Sequence, residues 1–161
     1  MEYSFRQLRD GKIEEIPSTS GIYWVIIPLN FSMDYLEQTE GTQYGKKGRK
    51  MSYEVNKLRE WGQHYQKNKH EEGILYIGKA KNLQNRIRQY YEFGYNDEKH
   101  HVHEGGRAIW QLRNNKELLI RYQECVNEEK VETELIDRYI LEHGVRPFAN
   151  MRRGLKKYRL F

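Results

Sequence analysis

The chain has 161 residues, of which 32% are charged and 13% aromatic, and its formal net charge at pH 7 is +5. This length fits one domain with a hydrophobic core, and the aromatic share together with only three prolines excludes a disordered chain. No apolar run approaches the roughly 20 residues that cross a bilayer, and residues 1–6 lack the apolar stretch of a secretion signal. We therefore predict a single cytoplasmic domain over residues 1–161 with no membrane partner.

Strand and helix patterns begin with β-branched and aromatic residues over 21–27, which predict a first strand. Residues 73–78 are a short apolar run bounded by glycines, and they predict a second strand. The intervening residues 28–72 have the character of an insertion, with a basic cluster and helical spacing over 52–69. Ser52 is the predicted N-cap of that helix.

The second half of the chain continues the alternation of helix and strand signals. Apolar spacing predicts helices over 80–91 and 106–113, a third strand over 117–125 and the longest helix over 128–143. Gly144 then ends the last helix. The predicted fold class is α+β, with three strands and several helices.

Basic residues are concentrated in three segments of the sequence. Residues 41–70, 79–88 and 145–161 together carry 18 lysines and arginines and 2 acidic residues, whereas the other 104 residues carry 10 basic and 21 acidic ones. Such segregation is typical of a polyanion site, because each neutralised phosphate releases counterions. Three separate runs favour nucleic acid as the partner over the alternative of ordinary solvated surface.

Glu132 is an anomaly in the last helix. At about 100° per residue it falls in the middle of an apolar stripe, whereas Glu134 points to the opposite side; the stripe consists of Val131, Leu135, Ile136, Tyr139 and Ile140. A carboxylate at such a position requires a cation, a metal, a donor network or a water-filled cleft. The alternative is a salt bridge to an arginine at the edge of the core.

A cationic stripe follows the second strand. Lys79, Leu83, Arg86 and Tyr90 share one side of the predicted helix 80–91 by their spacing. Hydrolysis of a phosphodiester requires charge stabilisation on the phosphate, and the arginine guanidinium matches a phosphate bidentately. The alternative for Arg86 is an exposed helix cation.

Five sequence elements resemble a known family. The triplets Gly21-Ile22-Tyr23 and Tyr76-Ile77-Gly78 are the two signatures of the GIY-YIG nuclease superfamily. Residues 76–90 are similar to the nuclease domain of the bacterial excision-repair incision subunit, residues 132–139 resemble the family's glutamate helix, and residues 146–150 resemble its terminal Arg-Pro-x-x-Asn element. The five occur in the family's order and cover residues 21–150 except the insertion.

The resemblance implies a small central antiparallel sheet of three strands flanked by helices, with the site on one face of the sheet and a basic helical segment inserted at 28–72. It places Tyr23 and Tyr76 beside the scissile phosphate. One of them would act as general base, assisted by Lys79 or a metal-bound water, because an unperturbed phenol with a pKa near ~10 is a poor base. The choice between the two tyrosines stays open.

The remaining catalytic positions also follow from the resemblance. Arg86 would hold the phosphate, and Tyr90 occupies the family's place for a histidine or tyrosine in the proton network. Glu132 would be the single carboxylate ligand of one Mg²⁺ or Mn²⁺ ion, which explains its place in an apolar stripe. Asn150 would brace the site. A site with two metals lacks support, because Glu132 is the one acid that the pattern places among these residues.

The insertion departs from the family pattern, because most relatives join the two triplets by a short turn. We interpret its cluster Lys46, Lys47, Arg49 and Lys50, with aromatic residues interleaved, as a source of DNA contacts. The alternative is a stabilising flap that packs on the sheet edge. Outside the cluster, the basic residues expected to contact DNA are Lys81, Arg88, Arg107, Arg152 and Arg153.

The loop histidines His100, His101 and His103 allow a metal site as a minor alternative to exposed residues that contact phosphate. Taken together, the motifs predict a metal-dependent DNA endonuclease, restriction-like, acting on double-stranded DNA and forming a homodimer on it to cut both strands. The alternatives are a non-cleaving DNA-binding module, a nicking nuclease of a repair or mobile-element type, and a nuclease that cleaves RNA.

Overall fold

A four-stranded antiparallel sheet lies at the centre of the computed structural model, which describes residues 1–68, 71–97 and 105–151. Its spatial order is β1-β4-β2-β3. The strands are β1 (Glu2–Ser4), β2 (Gly21–Ile26), β3 (Ile74–Ala80) and β4 (Leu119–Glu124). An α+β fold is therefore confirmed, whereas the prediction of three strands is wrong by one.

The helices connect and flank these strands. The α-helices are α1 (Phe5–Arg9), α2 (Val55–Asn68), α3 (Leu83–Tyr95) and α4 (Glu128–His143). Four short 3-10 helices occupy Lys12–Glu15, Lys46–Gly48, Arg107–Gln111 and Asn115–Glu117. The last helix has the predicted bounds, and Gly144 caps it in a left-handed conformation with φ 70°.

The strand that the sequence pattern missed is β1. It has three residues and leads directly into α1, so it is too short to show an alternating pattern. Its pairing with β4 sets Tyr3 opposite Ile120, and Arg121 of β4 donates to the Glu2 carboxylate at 2.8 Å. The first residues of the chain thereby protect one edge of the sheet.

The two signature triplets lie on neighbouring strands. β2 pairs antiparallel with β3, which sets Tyr23 opposite Gly78 and Val25 opposite Tyr76, with an irregularity after Val25. Because alternate residues share a face, Tyr23 and Val25 both point into the main hydrophobic cluster. The ladder therefore brings both tyrosines of the triplets to one part of the sheet.

The helix of the insertion begins at Val55, three residues later than predicted, and Ser52 is not its cap. The Glu54 carboxylate instead accepts the backbone N–H groups of Asn56 and Lys57, at 3.2 and 2.9 Å. Ser52 Oγ accepts the N–H of Thr39. A carboxylate favours a helix start, because the free N–H groups there carry partial positive charge.

The apolar face of α2 belongs to the core. Leu58, Trp61 and Tyr65 are buried on it. Trp61 Nε1 donates to the carbonyl of Phe148 at 2.7 Å, and Tyr65 Oη donates to the carbonyl of Ile74 at 2.6 Å. This part of the insertion packs as the stabilising alternative expects, and two of the aromatic residues interleaved with its basic cluster are core residues.

The helix after the second strand begins later than predicted. Asn82 caps α3 by accepting the N–H of Asn85 at 2.9 Å, and the helix begins at Leu83. Strand β3 continues to Ala80, so Lys79 lies on a strand and not on the helix that carries Arg86. The segment predicted as a helix over 106–113 is the 3-10 helix Arg107–Gln111, which begins after Gly106.

Candidate active site

A cleft of about 390 Å³ opens where β2, β3, α3 and the start of α4 meet. It is lined by Tyr23, Tyr76, Lys79, Ala80, Lys81, Arg86, Glu128, Glu129 and Glu132. Five of the seven residues predicted to be catalytic are in this set, although they come from four separate elements. The cleft presents three cationic side chains and three carboxylates, a mixture suited to holding a phosphate beside a divalent cation.

Tyr90 lies beneath the cleft. Its ring centroid is 5.7 Å from that of Tyr76 and 6.1 Å from that of Tyr23, and these two rings are themselves 6.1 Å apart. The side chain of Tyr90 is fully buried, and its hydroxyl donates to the carbonyl of Gly106 at 2.7 Å. Tyr90 therefore supports the other two rings from the core side of the site.

Gly106 fits this arrangement because it lacks a side chain. Its φ is 74°, a left-handed conformation, and a Cβ atom there would lie 2.5 Å from Tyr90 Oη and 3.0 Å from the Tyr76 ring. The tight turn at Gly106 thus closes the site from the side of the 3-10 helix Arg107–Gln111.

The phenols of the site hold their protons tightly in the free protein. Burial, and after it the negative charge of Glu132, raise the pKa of Tyr76 to about 12, against the lowering effects of Arg86 and of a hydrogen bond from Tyr23. Burial also raises the pKa of Tyr23 well above 10, against a lowering contribution from Arg86. At neutral pH both residues are therefore neutral hydrogen-bonding groups.

Arg86 is a cation of the cleft that acts on both phenols. It lies on α3, bonds Gln89 at 3.3 Å, and acts on the pKa of Tyr23 through both its charge and a hydrogen bond. The guanidinium cannot lose its charge at physiological pH. It therefore provides a permanent positive group on the wall of the cleft that also carries the two tyrosines.

Lys79 and Glu129 form an ion pair across the rim of the cleft, with Nζ and Oε1 3.2 Å apart. Glu129 is in the first turn of α4, and its side chain is 82% exposed. The apolar pattern that marks Glu132 as a site residue does not mark Glu128 or Glu129. The signal was available in their position one turn before Glu132 on the same helix.

Glu132 is half-buried, and it faces the tyrosines closely enough to raise the pKa of both. Of the apolar stripe around it, Tyr139 is buried and the other members are partly exposed. Within residues 1–68, 71–97 and 105–151, no cluster of three or more His, Cys, Asp or Glu side chains is arranged to hold a metal. Mg²⁺ usually keeps several waters and takes one or two carboxylates, so an oxygen ligand in a roomy cleft fits this ion.

Asn150 holds the strand that carries the second triplet. Its Oδ1 accepts the N–H of Ile77 at 2.8 Å and its Nδ2 donates to the carbonyl of Ile77 at 2.9 Å. The preceding Ala149 donates its N–H to the carbonyl of Leu75 at 2.7 Å. These bonds fix the outer edge of β3 between Tyr76 and Gly78, which is a bracing position outside the cleft.

The residues predicted to contact DNA lie in different places. Lys81 lines the cleft, whereas Arg88 faces Glu14 and Gln84 away from it. The basic loop, residues 44–50, is closed by a bridge between its end residues and exposes Lys46, Lys47, Arg49 and Lys50. Arg152, Arg153 and the histidines His100, His101 and His103 lie outside the described residues.

A comparison with family models adds independent evidence. The model of the UvrC-like GIY-YIG domain matches residues 62–119. This match supports membership of the GIY-YIG nuclease superfamily for the part of the chain that it covers. The matched segment includes Tyr76, Arg86 and Tyr90, and the strand register places the first triplet against it.

A GIY-YIG domain implies a nuclease-type function with DNA as substrate, and GIY-YIG nucleases generally use divalent metals. No curated protein and no solved structure gives a significant match to this chain. None of the helices in the described part of the chain is long and apolar enough to cross a membrane.

Proposed function

We propose that this GIY-YIG protein is a metal-dependent DNA endonuclease that hydrolyses phosphodiester bonds. One observation carries the proposal: Tyr23, Tyr76, Arg86 and Glu132, from four different elements, line a single cleft. Hydrolysis requires a cation for the phosphate, an acceptor for the proton of water and a ligand for a divalent ion, and this set supplies all three.

Arg86 and Lys79 bind the scissile phosphate in this proposal. The Arg86 guanidinium offers two parallel N–H donors to the phosphate oxygens, and Lys79 adds a point charge at the rim. Lys79 exchanges its contact with Glu129 for the phosphate, at little cost because both side chains of that pair reach solvent. Lys81, directly after the end of β3, extends the positive rim of the cleft.

Glu132 holds one Mg²⁺ or Mn²⁺ ion in the cleft. When bound there, the ion offsets the charge of Glu132, polarises the phosphate and acidifies water. Tyr76 would first lose its own proton to solvent and, as the phenolate, would accept the proton of the attacking water. Solvent exposure favours Tyr76 over Tyr23 as the general base, since Tyr76 is 9% exposed and Tyr23 is 1% exposed. In addition, Tyr76 receives a hydrogen bond from Tyr23, which stabilises the phenolate form of Tyr76.

We further propose a restriction-like activity on double-stranded DNA with two copies of the chain acting together. The described residues contain one cleft with this composition, and one such cleft cuts one strand at a time. Two clefts related by a two-fold axis match the two antiparallel strands of a duplex. The exposed basic loop provides phosphate contacts that depend little on sequence.

Incubation of supercoiled plasmid with the protein and Mg²⁺ tests the proposal. We expect nicked and then linear DNA with the wild-type chain and unchanged plasmid with Glu132→Ala. Binding without cleavage over a range of DNA substrates and divalent ions would identify a non-cleaving module instead. Faster cleavage of a labelled RNA than of DNA of the same sequence would assign the activity to RNA, and nicking without linear product would assign it to one strand.

A further inference from the structure

A second cleft, of about 620 Å³, lies at the base of the basic loop. It is lined by Glu37, Gln38, Gln43, Tyr44, Lys50, Ser52, Tyr53 and Glu54. We call it the Tyr44 cleft. None of the catalytic residues is among its lining, and the mechanism above does not use it.

The Tyr44 cleft is joined to the active site through one arginine. Gly106 accepts the hydrogen bond of Tyr90 beneath the catalytic tyrosines. The next residue, Arg107, donates from Nε to the carbonyl of Met51 at 3.1 Å, and its guanidinium stacks 4.5 Å from the centre of the Tyr53 ring. Arg107 therefore connects the floor of the active site to a wall of the second cleft.

The lining of the Tyr44 cleft is suited to a flat, neutral ligand with polar edges. Among the exposed large hydrophobic residues in the described part of the chain, Tyr44 is the one with an aromatic ring, and it is 62% open to solvent. With Tyr53 it offers aromatic surface, and the side-chain amide of Gln38 offers both donors and an acceptor. The Nε2 of Gln43 already donates to two backbone carbonyls, so Gln43 contributes its Oε1 as an acceptor. Nucleobases have this combination of a stacking face and a hydrogen-bonding edge.

The carboxylates of the Tyr44 cleft favour a nucleobase over a phosphate as its ligand. Glu37 and Glu54 line the cleft, and Glu54 is fixed in place by the N–H groups of Asn56 and Lys57. Such carboxylates repel a phosphate but accept hydrogen bonds from the amino groups of a base. Lys50 also lines the cleft, whereas the other three cations of the basic loop are exposed outside its lining and offer the phosphates a separate site next to it.

We propose that the Tyr44 cleft binds an unpaired nucleobase beside the scissile phosphate, so that the preferred DNA substrate carries a bulged, flapped or otherwise extruded nucleotide near the cut. The inference rests on the proposed nuclease function and specifies its substrate. A paired base hides its faces in the stack, and only an extruded one reaches a protein pocket. The basic loop binds the phosphates that flank this nucleotide.

Equilibrium binding of the full chain to two duplexes tests the inference, with EDTA present so that neither DNA is cut. The duplexes share their sequence, and one contains a single extra unpaired adenosine. We expect the wild type to bind the bulged duplex about tenfold more tightly than the paired one, as one aromatic stack contributes. Tyr44→Ala removes this preference, and Tyr44→Phe, which keeps the ring, retains it. Because Tyr44 is exposed, neither change should alter thermal unfolding.

Lys47→Ala is the matched control, since it removes a cation of the same loop and weakens binding to both duplexes alike. Equal affinity of the wild type for the two duplexes, or a preference that survives Tyr44→Ala, would overturn the inference. Cleavage with Mg²⁺ is measured separately. Cleavage without the preference refutes the base-binding cleft alone, and the preference without any cleavage refutes the nuclease proposal alone.

Discussion

The ring of Tyr23 lies over the backbone of Gly78, its partner in the ladder between β2 and β3. A Cβ atom on Gly78 would lie 2.6 Å from Tyr23 Oη and closer still to the ring. The first triplet therefore places its tyrosine where the last residue of the second triplet leaves space. The two triplets form one packing unit, and this unit sets the depth of Tyr23 in the site.

Gly78→Ala tests this packing. Because the added methyl group overlaps the Tyr23 ring, we expect a loss of about 1–3 kcal/mol in the free energy of unfolding, together with slower DNA cleavage. Urea unfolding followed by circular dichroism measures the first effect. The same change in a Tyr23→Leu background should cost less, since the ring is gone. An equal cost in both backgrounds would show that the contact does not determine the effect.

Asn150→Ala tests the brace on β3. It removes both hydrogen bonds to the backbone of Ile77 and leaves an N–H and a carbonyl without these partners. Such groups typically cost about 1–3 kcal/mol when they become unsatisfied. We expect a lower melting temperature and a slower single-turnover cleavage rate. Asn68→Ala, which removes a side-chain bond near the end of α2, is a control that should spare the cleavage rate.

Glu129→Gln tests the competition for Lys79. It removes the carboxylate that contacts Lys79 at 3.2 Å, so that the ammonium is available to a phosphate. At low salt we expect Glu129→Gln to bind DNA more tightly than the wild type does. This gain in affinity should shrink as the salt concentration rises, because salt screens the exposed charges. Glu134→Gln removes the same charge from an exposed position on the other side of α4. Equal gains from the two variants would attribute the effect to net charge alone.

The sequence predicts correctly those features that depend on the residues of a single helix or strand. The bounds of α4 follow from its apolar spacing and Gly144, and both triplets were assigned to strands correctly. Glu132 stands out in the sequence because a carboxylate interrupts an apolar stripe. The structure supplies the reason for that interruption, since Glu132 faces a cleft at the start of the helix.

Features that depend on tertiary pairing were not predictable in the same way. β1 is a strand only because β4 pairs with it. Lys79 lies on β3 because the strand extends past the second triplet, and helical spacing alone assigned it to the next helix. The insertion was predicted from its charge, whereas the face of α2 that carries Trp61 and Tyr65 is set by packing on the core. Neither charge nor spacing identifies the packing partner.

The pH dependence of stability tests the burial of Tyr76. Its pKa in the folded protein is about 12, above the value near ~10 expected of an unfolded chain. Below pH 10 both states keep the proton, so stability does not change through this group. From pH 10 to 12 the unfolded state releases the proton first, so Tyr76 contributes a fall of about 1.4 kcal/mol per pH unit in the free energy of unfolding.

Tyr76→Phe should therefore make the alkaline fall shallower by that amount, as measured by urea unfolding at several pH values above 10. Tyr23 and Tyr90 remain, and their raised pKa values maintain the rest of the fall. Tyr44→Phe is the matched control, because it removes a phenol that is exposed in the folded state. Identical slopes for the wild type and Tyr76→Phe would contradict the burial of this phenol.

The most direct test of the nuclease proposal is the rate of cleavage of an end-labelled duplex as Mg²⁺ is added, compared between the wild type, Glu132→Gln and Glu134→Gln. Glu132→Gln keeps the size of the side chain and loses the metal ligand, whereas Glu134→Gln makes the same change on the opposite side of α4. We predict saturable Mg²⁺-dependent cleavage by the wild type and Glu134→Gln, and none by Glu132→Gln although it still binds the DNA. Cleavage by Glu132→Gln at the wild-type rate, or no cleavage by the wild type with any divalent ion, would contradict the proposal.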